Sequence, residues 1–295
     1  LERKVGNRDV IALVNSAARV IFGADCSDLS LLHFLFYAQS GGGLMKLIET
    51  HGGNQDRRVV GGAQQLSEGL AGGLDVQLGC PVFGVRQDPA GVEVLGEGRS
   101  WRARRAVLAL PLPLADRLTF EPALPTLRDQ LHQRASMGAT IKCFALYDSA
   151  FWRERGYSGE GVHTDGPVNV CFDNDSAGQP GLLAFITGAP GRGWSDRLKE
   201  DRRAIVLNTL ARWFGEEALR PTLYHEADWA TERWSGGAPI AAFPPGTLSV
   251  HGPALRAPVG RIHWAGTETA RESTGFMEGA LESGDRVAQE ILALG

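Results

Sequence analysis

The chain has 295 residues, 43% of them hydrophobic and 22% charged, with a formal net charge of −4, so it can bury a large core as one large domain or two. The mild negative balance and the lack of any basic cluster or basic–aromatic module argue against nucleic acid as a partner. No apolar run reaches the roughly 18 residues of a membrane span, so no membrane is expected.

Residues 9–22 (DVIALVNSAARVIF) and 28–38 (DLSLLHFLFYA) read as helices, each opening on an acidic residue that suits the positive end of a helix. The glycine-punctuated stretch 39–62 reads as irregular, and 63–73 as a helix. Short strands are expected at 74–78, 81–87, 91–95 and 105–110, separated by Gly and Asp-Pro turns. A helix at 126–135 leads into a strand at 139–147; further strands fit 167–172 and 182–187, and a helix fits 201–214. Strands and helices do not alternate strictly, which gives a mixed α/β or α+β class. Glycine, at 38 residues, is nearly twice its common share of roughly 7%. That excess fits many tight turns and close backbone approaches, and equally a GC-rich genome. Cys26, Cys80, Cys143 and Cys171 are far apart and form no CxxC pair. Three lie in strand-like apolar surroundings and read as buried free thiols of a reducing compartment, the cytoplasm, rather than as disulfides or a metal site.

The stretch 261–292, RIHWAGTETARESTGFMEGALESGDRVAQEIL, holds the most chemistry. Ile262 to Ala265 have the length of a buried strand, which Gly266 breaks. From Met277 onward, Met277, Ala280, Leu281, Gly284, Val287, Ala288, Ile291 and Leu292 recur at the spacing of one helical face. Glu282 and Arg286 stand four apart on the opposite face, where they are expected to pair. A helix opening beside Gly275 and Phe276 lets a ligand approach its free N–H groups, whose partial positive charge suits an anion or an electron-rich ring. An ordinary strand-to-helix turn in a core has the same spacing.

The segments RRVVGGAQQLSEGLA (57–71), PVFGV (81–85), AVLALP (106–111), GATIKCFALYDSAFWRERGY (138–157), WSGGAPIAAFPPG (234–246) and HWAGTETARESTGFMEGALESGDRVAQEIL (263–292) resemble, in order, the flavin-containing amine oxidases, the monoamine oxidases most closely. The resemblance implies FAD as cofactor, a small amine and O₂ as substrates, and H₂O₂ as product. It divides the chain into substrate-domain parts at 1–55 and 121–225 and FAD-binding parts at 56–120 and 226–295. It implies that Lys142 holds a water near flavin N5, where reoxidation by O₂ occurs. An edge-strand lysine reaching solvent is the alternative. Trp229 matches a tryptophan beside the isoalloxazine, or is an ordinary core tryptophan. Val82 matches a backbone contact to adenine; Gly266, Thr267 and Glu268 match the turn at the flavin and ribityl chain; Gly275, Phe276 and Met277 match the helix entry. Leu47, Ile48, Gln55, Pro239 and Phe276 match pocket-lining positions, although Gln55 also reads as a plain polar loop residue. No metal ligands are implied.

Three departures qualify the resemblance. The family opens with a strand, a G-x-G-x-x-G turn and a helix that hold the ADP part of FAD. Neither SGGGLMK (40–46) nor GGAQQL (61–66) fits that unit, so the chain is expected to be the C-terminal two-thirds of an amine oxidase. It would then need another polypeptide to supply the missing segment, or it would self-associate. The monoamine oxidases link FAD through a cysteine where this chain has Ala238, so FAD is expected to bind non-covalently. They also flank the amine with two tyrosines, where Pro239 and Phe276 stand here. An L-amino acid oxidase-like relative and a non-catalytic remnant are the rival expectations.

Overall fold

A computed structural model of the chain describes residues 6–175 and 178–295. Helix α1 (Arg8–Phe22) is capped by Asn7, whose side chain accepts from the amides of Asp9 and Val10, and closes on left-handed Gly23. Helix α2 (Leu31–Ser40) begins later than the acidic residue at 28 led us to expect. Its cap is Ser30, which accepts from the His33 amide and so satisfies one of the orphan donors of the first turn. Within 39–62 lies the short α3 (Leu44–Ile48), and α4 (Gln64–Ala71) follows with no buried residue.

The strand expected at 74–78 is not formed: these residues run through turns and coil, with Leu74, Val76 and Leu78 exposed. Their alternation fits a strand, but among the described residues no strand pairs with them. Strands β1 (Val82–Asp88), β2 (Gly91–Gly96), β3 (Arg99–Ala103) and β4 (Ala106–Leu108) come next, then α5 (Leu112–Ala115), β5 (Thr119–Glu121) and α6 (Thr126–Arg134). The Asp88 carboxylate accepts from the amides of Ala90 and Gly91 and so makes the Asp-Pro turn between β1 and β2. The chain continues through β6 (Ser136–Met137), β7 (Thr140–Leu146), α7 (Phe151–Glu154), β8 (Gly161–Val162), β9 (Val170–Asp173) and β10 (Gly181–Thr187). It ends with α8 (Lys199–Phe214), β11 (Leu223–Asp228), β12 (Ala241–Ala242), α9 (Thr247–His251), β13 (Ile262–Trp264) and α10 (Met277–Leu292). β3 and β11 were not foreseen, because RSWRA and LYHEAD are too polar to alternate cleanly.

The contacts divide the chain into two compact units, each built from two separate stretches: Leu1–Leu29 with Ser136–Pro244, and Ser30–Ala135 with Pro245–Gly295. The first unit carries a five-stranded sheet in the order β11-β7-β10-β9-β8, antiparallel throughout. β7 buries Ile141, Cys143 and Ala145, which pack in one core with Leu182, Ala184 and Ile186 of β10 and Val206, Leu207, Leu210 and Phe214 of α8. The period of two therefore places Lys142 and Phe144 on the opposite face. Cys143 and Cys171 are buried free thiols, and burial pushes Cys143 up to about 12. Cys26 and Cys80 lie outside strands and are half-buried, so two of the cysteines, not three, are core thiols.

The second unit carries a four-stranded sheet, β3-β2-β1-β5, in which β1 and β5 run parallel, and a two-stranded parallel pair, β4 and β13. Val85, Val92, Leu108, Ile262 and Trp264 form its core with Phe120 packed against them. α10 departs from its expected face. It buries Gly279, Ser283 and Val287, whereas Met277, Leu281 and Leu292 are exposed. Glu282 and Arg286 do not pair with each other. The Glu282 carboxylate accepts from the amides of Arg271 and Glu272, and Arg286 turns towards β13 and Glu290. Loop amides compete successfully for Glu282, and the Trp264 carbonyl of β13 and the Thr269 hydroxyl for Arg286, and sequence spacing can place neither set.

Candidate active site

The loop from Ala265 to Phe276 joins β13 to α10 and is tied at both ends by one side chain. Thr267 Oγ1 accepts from the Gly275 amide at 2.7 Å and donates to the Phe276 carbonyl at 2.9 Å. The Ser40 hydroxyl, at the end of α2, accepts from the Thr274 amide at 2.8 Å. Gly266 has φ +106°, and a Cβ placed there would meet nothing nearer than a Glu268 carboxylate oxygen at 3.6 Å. That conformation favours glycine, and it leaves the front of the turn open. Gly275, at φ +86°, has no such room: a Cβ would lie 2.7 Å and 2.8 Å from ring carbons of Tyr37.

Tyr37 is 3% exposed and Glu268 7%. Burial, with the Glu268 charge added, holds the phenol far above its usual range. The Tyr37 and Phe276 rings lie 6.2 Å apart at 32°. Phe276 is extended, and no side chain caps α10, so the first-turn amides carry the helix's partial positive charge without an intrahelical acceptor. Gly266, Thr267, Glu268, Gly275, Phe276 and Met277 are thus brought together in the second unit. The arrangement offers an open backbone turn, a buried carboxylate and a bare helix N-terminus, which together can hold an electron-rich ring with a polar chain attached.

In the same unit, Leu47 of α3 is buried, Ile48 is 45% exposed and Gln55 is exposed in a loop. Asn54 donates to the Gly41 carbonyl at 2.8 Å, which ties the Gln55 loop to the end of α2. Val82 opens β1, half-buried, opposite Gly96. In the first unit, Lys142 is half-buried with its ammonium 5.3 Å from the Phe185 ring centroid. β7 is paired on both sides, so Lys142 is not an edge-strand lysine. Trp229 lies in a turn that Asp228 caps by accepting from the Ala230 amide. It is 38% exposed, which removes the core-tryptophan alternative. Pro239 is exposed, and the Ala238 carbonyl accepts from Thr140 Oγ1 at 2.8 Å. Tyr37, Ser40, Arg256 and Ser283 support the loop but carried no signal in the sequence, since each acts through a contact distant in the chain, and Arg286 stood out only as a partner for Glu282.

Residues 5–292 match the family described as flavin containing amine oxidoreductase. The chain belongs to that family. It is 40% identical over 297 residues to a probable flavin-containing monoamine oxidase A of Dictyostelium discoideum, covering 99% of this chain and 65% of that protein. An L-amino acid dehydrogenase of Synechocystis sp. is 39% identical over 276 residues, covering 92% of this chain and 57% of its own length. Among solved structures, a triple mutant of putrescine oxidase matches with a TM-score of 0.94 at 33% identity, over 99% of this chain and 66% of that one. Cyclohexylamine oxidase from Brevibacterium oxydans matches with a TM-score of 0.91 at 34% identity, over 98% and 64%. The chain therefore spans less than two thirds of the length of the curated relatives named here. The family is flavin-containing, and the open turn at Gly266 with the uncapped α10 fits a flavin: there is space where a side chain would otherwise stand, and among the described residues no side chain caps the first-turn donors of α10.

Proposed function

We propose that this chain is part of an FAD-dependent amine oxidase that oxidises the carbon bearing an amine to an imine, which water then hydrolyses. The observation that carries this reading is the tied Ala265–Phe276 loop, which leaves Gly266 open and the amide end of α10 bare. When bound, the flavin would supply the hydride acceptor and pass the electrons to O₂, giving H₂O₂. The α10 amides would stabilise negative charge on its pyrimidine side, and Gly266, Thr267 and Glu268 would hold the flavin and its ribityl chain, with Gly275, Phe276 and Met277 forming the helix entry. Val82 would contact the adenine through its backbone, Trp229 would stand beside the isoalloxazine, and Lys142 would hold the water near N5 where charge develops on O₂. Leu47, Ile48, Gln55, Pro239 and Phe276 would line the amine pocket.

In this reading residues 56–120 and 226–295 serve the flavin, and 1–55 and 121–225 the amine. This is a division by ligand, not by contact density, which is why its boundaries differ from those of the compact units. Among the described residues no strand, glycine turn and helix of the dinucleotide-binding kind is present, so another polypeptide segment would supply the phosphate cradle. The identity with an L-amino acid dehydrogenase supports a second reading, in which the substrate carries a carboxylate held by a cation.

The test joins the chain to a dinucleotide-binding segment, loads it with FAD and measures H₂O₂ from putrescine, cyclohexylamine and L-amino acids. Turnover of the simple amines is expected. Because Ala238 offers no sulfur for a thioether, acid precipitation should leave the yellow colour in the supernatant. Turnover of L-amino acids alone would favour the second reading, and no flavin uptake would make the chain a non-catalytic remnant.

A further inference from the structure

α10 meets the loop in front of it with polar side chains, and these converge on one turn. The Ser283 hydroxyl accepts from the Gly266 amide at 3.0 Å and donates to the Ala280 carbonyl at 2.7 Å. Arg286 Nη2 donates to the Trp264 carbonyl at 2.6 Å and to Thr269 Oγ1 at 3.0 Å, and that hydroxyl donates in turn to the Gly266 carbonyl at 2.8 Å. Arg256, just after α9, donates from Nε to the Thr269 carbonyl at 2.6 Å and from Nη2 to the Ala270 carbonyl at 2.8 Å. Both polar groups of Gly266 are therefore engaged, although the space where its side chain would stand is open.

These contacts are costly to make. Burial, then the charges of Arg271 and Arg286, hold the Arg256 guanidinium below its usual range, with Glu282 opposing. Two guanidiniums partly withdrawn from water on one turn, with like charge beside them, are offset here by charge-assisted bonds to fixed carbonyls. Their summed positive charge also favours negative charge on any ring that the turn holds.

We propose that Arg256 and Arg286 are positioning residues that fix the Gly266–Ala270 turn relative to the amide end of α10 and so preorganise the flavin-facing surface, an assignment that rests on the functional reading above. A turn fixed in advance loses less freedom when a ligand binds, and its donors are already aimed.

Amide hydrogen exchange followed by mass spectrometry on the chain as it stands tests the fixing. In Arg256→Met and in Arg286→Met, amides within 265–276 should exchange about tenfold faster, the loss expected for charge-assisted bonds. The β7–β10 ladder should be unchanged. Arg261→Met is the control, since Arg261 also donates to backbone carbonyls, those of Asp88, Pro89 and Arg104, away from the turn. Unchanged exchange at 265–276, or equal acceleration there in Arg261→Met, overturns the proposal.

The reduction potential of the bound flavin, measured on the FAD-loaded assembly, separates positioning from support alone. It should fall in both Met variants and fall less in Arg256→Lys, which keeps the charge without the two-pronged grip. Potentials unchanged in all three would overturn the flavin-facing role even if the loop loosens. An assembly that takes up no flavin sinks the functional reading, and exchange alone then decides whether the arginines hold the turn.

Discussion

Gly275 is a residue whose missing side chain sets the local geometry. Its positive φ and the Tyr37 ring where a Cβ would stand are separate obstacles to any larger residue. Gly275→Ala should lower stability to urea by about 2–4 kcal/mol, combining backbone strain and overpacking. Adding Tyr37→Phe removes the hydroxyl but leaves the two ring carbons in place, so it should recover only part of the loss. Full recovery would show that φ at this position matters little. Lys142 and Trp229 teach a related lesson. The words TIKCFALY and ADWATERW left a bland alternative for each, and those alternatives fell only when β7 proved to be an interior strand and Trp229 proved to be partly exposed.

At the scale of elements, α6 is anchored to β13 by a polar cluster. Arg128, 3% exposed, donates from Nε to His132 Nε2 at 2.8 Å and from Nη1 to the Ala254 and Leu255 carbonyls, and its guanidinium lies 3.5 Å from the Trp264 ring centroid. His132 must stay neutral to accept that bond. Burial, and then the Arg128 charge, hold it at about 3 against 6.5 unperturbed. Since the unfolded chain binds the proton first as pH falls, stability is full above pH 6.5 and declines progressively towards pH 3, by on the order of a few kcal/mol. His33, held at about 4 by burial, adds to the same slope. Urea midpoints across this range should fall more steeply for the parent than for His132→Gln, whose amide oxygen can still accept from Arg128; parallel curves would remove His132 from the account.

At the scale of the molecule, the second unit presents apolar surface that its own residues do not cover. Among the described residues, β4 and β13 form a two-stranded parallel ladder with no further strand beside it, a type of sheet normally covered on both faces. Val107 and Leu110 are 45% and 39% exposed, and Leu66 and Leu70 of α4 are 46% and 64% exposed. The 295-residue chain alone should therefore be colourless after incubation with FAD, inactive towards amines, and increasingly associated as its concentration rises in size-exclusion chromatography. A yellow, monodisperse monomer that releases H₂O₂ from an amine would show that the phosphate cradle is dispensable.

The sequence by itself determined the family, the mixed α/β class, most of the helices, and the strand, loop and helix at 262–292, because apolar period, glycine breaks and motif wording are local and survive without coordinates. It also placed Gly266 and Gly275 at the loop's two ends. Only the tertiary structure decided which face of α10 is buried, where Glu282 and Arg286 point, that 74–78 finds no partner strand, and that Tyr37 and Arg256 converge on a loop more than 200 residues and about a dozen residues away respectively. Those outcomes depend on which backbone groups are brought within hydrogen-bond reach by distant segments, and a one-dimensional pattern records the donors and acceptors but not their meeting.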